Sequence, residues 1–246
     1  MLITGVEKGI ELTTLADIPS EGTGLGSSSS ITVGLLQALF TYQNEIKTQL
    51  ELADLACKIE IEILHKPIGR QDQYIASFGN LRLITFSENI DVETVKTNKQ
   101  RLNDNLLMFY TGITRQSSDV LSDQKANIKD RLDVLTKMRD LAYLGKTYLE
   151  HNEYDEFGKL LNLNWELKKQ LSNKISSPQI DDIYKTGLKA GAISAKVLGA
   201  GAGGFMLFYV KNGKQDDVRS ALHGLRELHF QFEHDGTKII FNHRRK

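Results

Sequence analysis

Gly22-Thr-Gly-Leu-Gly-Ser-Ser-Ser-Ser30 runs without interruption into Ile31–Tyr42, whose apolar residues at 31, 35, 38, 39 and 42 have helical spacing. Glycines let a backbone adopt positive φ and approach a ligand closely. A helix start presents free N–H groups and a partial positive charge, which suits phosphate. The serine hydroxyls add donors, or one oxygen ligand for Mg²⁺. This is not a Walker A loop, because no lysine follows the last glycine. A flexible Gly/Ser linker ending in a serine cap is the bland alternative. Against it, a linker is usually followed by a domain start rather than by an apolar helix that must be buried.

Working outward, Gly9–Leu15 alternates as a strand would. Asp17–Gly26 is dense in turn formers. A second helix is expected from an N-cap at Thr48 to about His65, stopped by Pro67 and Gly69. Leu52, Leu55, Ala56, Ile59 and Ile63 make its stripe, and at 100° per residue Glu60 falls beside that stripe, bordering the core. Gly69-Arg-Gln-Asp-Gln-Tyr74 follows. Asp72 there reads either as a helix N-cap or as a carboxylate that orients or deprotonates a hydroxyl, with Arg70 at hand for a phosphate.

Leu81–Phe86 reads as a strand, and a domain boundary is placed in the polar stretch 87–100, giving domains 1–95 and 96–246. Leu106–Tyr110 is a strand. Helices are expected over Gln116–Tyr148 (broken near Leu144-Gly145), Asp155–Leu171 and Gln179–Ala190. Strands Ile193–Leu198 and Phe205–Val210 flank Gly199-Ala-Gly-Ala-Gly-Gly204. That run matches G-x-G-x-x-G literally, but a strand follows it instead of a helix, so the dinucleotide reading is rejected. Close approach of a backbone, or a glycine-lined wall of an active site with Gly201 and Gly203 facing substrate, remains. A helix near Asp216–Glu227 and a hairpin of Leu228–Glu233 with Lys238–Asn242 about Asp235-Gly complete an α+β arrangement with mainly antiparallel strands.

Composition narrows the function class. The 246 residues carry 31 basic and 31 acidic side chains, so there is no electrostatic footprint for bulk nucleic-acid or acidic-membrane binding. The longest apolar run, Phe205–Val210, is far short of the ~20 residues that span a bilayer, and Met1–Ile10 lacks the character of a signal peptide. A single cysteine, Cys57, excludes an internal disulfide and a cysteine-based zinc site; on its apolar helix it reads as packing. The six histidines show no ligand spacing. A soluble cytoplasmic globular protein is the expectation.

The order of these features is more specific than any one of them. Gly24-Leu-Gly-Ser-Ser resembles the ATP-binding second motif of the GHMP small-molecule kinases, and Lys196-Val-Leu-Gly-Ala-Gly-Ala-Gly-Gly-Phe resembles their third. Four stretches are most similar to the D-glycero-D-manno-heptose 7-phosphate kinases within that superfamily. They are Asp17–Ser30, Gly69–Tyr74, Tyr110-Thr-Gly-Ile-Thr-Arg-Gln-Ser-Ser-Asp and Phe230-Gln-Phe-Glu-His-Asp-Gly. The likeness spans Gly9 to Asn242.

The resemblance implies an N-terminal domain like domain 2 of ribosomal protein S5 and a ferredoxin-like C-terminal domain. It implies ATP and Mg²⁺, with Gly22, Gly24, Leu25, Gly26, Ser27, Ser28 and Ser29 around the triphosphate. Ser28 and Glu60 would hold the metal, Asp72 would act as the base, and Arg115 would contact the sugar or its phosphate. The reaction implied is phosphorylation of the anomeric hydroxyl of a heptose 7-phosphate. A fucose-type sugar kinase and an inactive nucleotide-binding module are the alternatives. The superfamily's first motif, a strand with an Arg/Asp- and glycine-containing loop, has no match in the eighteen residues before Pro19. The expectation is therefore an incomplete first domain whose exposed strand edges favour self-association.

Overall fold

The computed structural model describes residues 3–7, 9–18, 23–114 and 117–243, with the side chain of Ser117 left aside. The chain forms two compact units: residues 1–21, 26–80 and 233–246 make the first, and residues 22–25 and 81–232 the second. This grouping joins residues 82–94 to the second unit, upstream of the boundary drawn from the sequence.

The first unit is built on three helices, α1 (Ser27–Tyr42), α2 (Gln49–Cys57) and α3 (Gln71–Phe78). Val33, Leu36 and Phe40 of α1 pack on Leu52 and Ala56 of α2. Thr48 starts α2 through a complete capping box: its hydroxyl accepts from Glu51 N, and the Glu51 carboxylate accepts from Thr48 N. The helix then widens into one π-helical stretch, Lys58–Ile63, closed by Leu64 N donating to Ile59 O. Such a widened turn commonly serves a functional site, and here it carries Glu60.

Two expectations fail in this unit. Residues 9–15 form no strand, and Leu12 and Leu15 are exposed, so no second face is buried to reward alternation. The hairpin about Asp235-Gly236 is also absent. Residues 233–237 instead bind the end of α3: Asn80 N donates to Glu233 O and Thr237 N to Ser77 O. Ile240 and Phe241, which a hairpin would need to bury, are exposed.

The second unit opens with an antiparallel ribbon, β1 (Arg82–Thr85) against β2 (Asp91–Thr94), in register Arg82 to Thr94. Then come α4 (Lys99–Asp104), β3 (Leu106–Tyr110), α5 (Ser117–Asn127), α6 (Leu132–Glu150), α7 (Tyr154–Lys169) and α8 (Pro178–Lys189). β4 (Ala192–Val197), β5 (Phe205–Val210), α9 (Gln215–Ala221) and β6 (Arg226–Glu227) follow. Strands β4-β5-β3-β6 make one antiparallel sheet.

Helices α7 and α8 approach β5 closely because each carries a glycine at the contact. A Cβ on Gly158 would lie 2.4 Å from the Tyr209 ring, and one on Gly187 2.2 Å from the Phe208 ring. Trp165, Phe208, Met206 and Ile180 form the centre of the core. The break expected at Leu144-Gly145 falls instead at residues 128–131, a short 3₁₀ turn. Gly145 continues α6, and its missing side chain admits Phe157 of α7. α9 stops at Ala221, short of the expected Glu227, because a turn from Leu222 to Leu225 returns Arg226-Glu227 to pair with β3.

Candidate active site

Glu60 is fully buried and is met by four donors. Its Oε1 accepts from Ser28 Oγ at 2.6 Å and Lys66 Nζ at 2.9 Å, and its Oε2 from Ser29 Oγ and Gln73 Nε2, both at 2.7 Å. Burial pushes this carboxyl up, but the bonds from Ser28, Lys66, Ser29 and Gln73 outweigh it and hold Glu60 below the usual carboxylate range. It is therefore an anion at neutral pH, tied to the first turn of α1.

Lys66 Nζ also donates to Ser28 Oγ at 2.6 Å. The lysine missing after the last glycine is thus supplied from 38 residues downstream. Neither Lys66 nor Gln73 was singled out from the sequence. Lys66 follows the end of a helix, where a charged residue is ordinary, and Gln73 reads as a polar neighbour of Asp72.

Asp72 is the second residue of α3, whose N-cap is Arg70, so the capping alternative is not what the chain adopts. Its carboxyl carbon lies 3.4 Å from where a Cβ on Gly26 would stand, and Gly26 itself caps α1 at φ +69°. Burial pushes Asp72 up; a bond from Gln71 lowers it and the charge of Glu60 raises it further, leaving it above the ordinary aspartate range. Two carboxylates with opposite shifts share one helix start, a pattern that separates a charged metal or anchor ligand from a proton acceptor. Arg70 bonds Asp54 at 3.2 Å and the Tyr74 hydroxyl, so internal partners engage the guanidinium expected for phosphate. Cys57 is buried, and burial pushes its thiol up, as suits packing.

Ser28, Ser29, Glu60 and Asp72 come together within the first unit. Gly24 belongs to the second, at φ +73°, where a Cβ would meet Leu198 O at 2.7 Å. A Cβ on Gly199 would in turn stand 2.5 Å from Gly24 Cα. The two glycine runs therefore meet backbone to backbone. Gly201 lies against Ile175, and a Cβ on Gly203 would stand 2.4 Å from Ile113 O. Leu25 completes the described loop, its N–H donating to Thr23 Oγ1, and Ser27 opens α1. Gly22 and Arg115 lie outside the described residues.

Residues 2–80 match the GHMP kinases N terminal domain and residues 146–228 the GHMP kinases C terminal domain. The D-glycero-alpha-D-manno-heptose 7-phosphate kinase of Campylobacter jejuni is 32% identical over 236 residues, covering 92% of this chain and 69% of that enzyme. The chain belongs to the GHMP kinases. A solved GHMP-type relative, a D-glycero-D-manno-heptose 1-phosphate kinase from Bacteroides thetaiotaomicron, superposes with a TM-score of 0.71 at 26% identity, over 89% of this chain and 64% of that one. The L-fucokinase/L-fucose-1-P guanylyltransferase of Bacteroides fragilis is 27% identical over 83% of the chain, which spans 22% of that protein.

For a GHMP kinase a divalent metal has to be weighed against these residues. Ser28 Oγ and Glu60 Oε1 are hard oxygen donors that already share one cation, the Lys66 ammonium. Mg²⁺ is usually held by one or two carboxylates together with substrate phosphates rather than by an all-protein cage. The donor set fits. No helix among the described residues is long and apolar enough to cross a membrane.

Proposed function

We propose that the chain is an ATP-dependent sugar kinase that phosphorylates the anomeric hydroxyl of a D-glycero-D-manno-heptose 7-phosphate. The observation that carries the reading is the buried Glu60 bonded to both Ser28 and Ser29 at the start of α1, with Asp72 set behind Gly26. The likeness to the Campylobacter heptose kinase supports the substrate.

In this reading the residues Gly24 to Ser29 offer backbone N–H groups and hydroxyls to the triphosphate. The N-terminus of α1 adds its partial positive charge. Lys66 donates toward the same oxygens. Ser28 and Glu60 would hold Mg²⁺, which when bound neutralises charge on the β- and γ-phosphate oxygens. Asp72 hydrogen-bonds the sugar hydroxyl and accepts its proton as the O–P bond forms and the bond to the ADP oxygen breaks. Because the γ-phosphoryl passes through a loose transition state, positioning and charge stabilisation carry most of the rate, and the proton moves late.

Substrate-dependent ADP release with MgATP tests this across heptose 7-phosphate, L-fucose, D-galactose and D-mannose. Turnover with the heptose phosphate alone is expected. Preferred turnover of L-fucose would reassign the substrate. MgATP-dependent thermal stabilisation with no ADP release for any sugar would reduce the chain to a nucleotide-binding module.

A further inference from the structure

Two lysines of the second unit stand outside the chemistry above. Lys168, in the last turn of α7, donates to the carbonyl of Gly199. Lys196, on β4 just before the glycine run, donates to Asn164 Oδ1 at 3.0 Å. Asn164 and Lys168 are one helical turn apart on α7 and share a face. The bond to Asn164 therefore draws the Lys196 ammonium toward Lys168.

Among the described residues, neither ammonium has a carboxylate partner. Their hydrogen-bond partners among the described residues are a carbonyl and an amide oxygen, which are neutral acceptors. Two half-buried like charges without a counter-ion among the described residues repel one another, and an anion between them would relieve that repulsion. The donor geometry suits a tetrahedral oxyanion. Each ammonium has three N–H donors, and Asn164, whose oxygen accepts from Lys196, carries an NH₂ that can donate. Lys196 and Asn164, without Lys168, also line a cavity of about 240 Å³ whose walls include Leu83, Met138 and Leu161, which leaves room beside Lys196 for the rest of a small ligand.

We propose that Lys168 and Lys196, with Asn164, form a binding site for a phosphomonoester dianion, carried either by a phosphorylated small molecule or by free phosphate. The site stands on residues of the second unit and does not depend on the kinase reading. If a sugar phosphate supplies the dianion, the site selects phosphorylated over neutral sugars.

A titration signature supports it. Desolvation, then repulsion from Lys196, lowers Lys168 to about 7, and Lys196 is lowered by desolvation as well. Lys196 is the charged group that bears on Lys168. A dianion favours the protonated amine, so binding just above neutral pH should take up a proton.

Calorimetry with the whole chain in two buffers of different ionisation enthalpy tests this, using inorganic phosphate, glucose 6-phosphate, glucose and D-glycero-D-manno-heptose 7-phosphate. Phosphate and glucose 6-phosphate should bind and glucose should not. Lys168→Gln and Lys196→Gln should each weaken binding about tenfold or more, since each removes a charged hydrogen bond to the dianion. Proton uptake should fall in Lys168→Gln. Heptose phosphate binding much more tightly than inorganic phosphate would assign the dianion to a phosphorylated sugar, and equal affinities would assign it to free phosphate. Equal affinity in the wild type and the double variant would overturn the site, as would no heat from wild type at tens of millimolar phosphate. Should the variants fail to fold, mass-spectrometric mapping of reductive methylation on the wild type decides: phosphate must slow modification of Lys168 and Lys196, and unchanged rates refute the proposal.

Discussion

Replacing Glu60 by alanine is the sharpest test of how the first unit is held. The substitution removes an acceptor from four donors, of which Ser29 and Gln73 are buried and cannot turn to solvent. Each buried donor left without a partner costs roughly 1–3 kcal/mol. The Lys66 ammonium, with its side chain 37% exposed, rehydrates and adds little, as exposed pairs contribute about 0–1 kcal/mol. The total is about 3–5 kcal/mol, the range for removing one partner of a buried ion pair. With a urea slope of ~2 kcal/mol/M, the midpoint followed by far-UV circular dichroism should fall by roughly 1.5–2.5 M.

The pH dependence has a definite sign. Because the folded carboxyl lies below its ordinary 4.5, the folded state binds fewer protons, so its contribution is complete above pH 4.5 and is lost as pH falls through the lowered value. Glu60→Gln cannot titrate, so its deficit against wild type should be constant above pH 4.5 and shrink below it. A Glu60→Ala variant within 1 kcal/mol of wild type, or a Glu60→Gln deficit independent of pH, would refute the account.

Asp72→Ala should retain the wild-type melting temperature while kcat falls about 10²–10⁴-fold, the usual share of a general base; near-normal turnover in the ADP-release assay would remove the role. Because Asp72 lies above the ordinary aspartate range and must be deprotonated to act, the acid limb of wild-type kcat/KM should sit at higher pH than an exposed aspartate gives. In Lys66→Met the Ser28 and Glu60 oxygens lose their cation, so Mn²⁺, reporting for Mg²⁺, should bind the nucleotide-free protein more tightly by about tenfold, or 1.4 kcal/mol. Unchanged Mn²⁺ affinity by water-proton relaxation would count against metal binding at these oxygens. Gly158→Ala would press a methyl into the Tyr209 ring and should cost about 1–3 kcal/mol, read as a lower thermal midpoint; an unchanged midpoint would show that α7 can shift.

What the sequence revealed and what it concealed divide along a physical line. Periodicity found α1 and α2 as helices, but the stripe read for α1 is displaced: Val33, Leu36 and Phe40 are buried while Ala38 and Tyr42 are exposed. β5, buried on both faces, shows instead as an unbroken apolar run. Periodicity misread residues 9–15 and 238–242 because alternation is only a licence to pair, and Leu15 and Phe241 bury nothing. Gly145, Gly158 and Gly187 look like interruptions in a linear reading. In space they are contact points, since a missing Cβ lets Phe157, Tyr209 and Phe208 reach a helix axis.

The site shows the same contrast. Glu60 was legible because a carboxylate beside an apolar stripe conflicts with burial, and that conflict is visible on a helical wheel. Lys66, Lys168 and Lys196 were not, because a lysine is locally unremarkable until the fold takes away its water or supplies its partner. Lys66 gains Ser28 and Glu60. Lys168 and Lys196 gain only neutral oxygens. That difference sets their expected behaviour apart: Lys66 already has an anionic partner in Glu60, whereas the other pair would gain one only when an anion arrives.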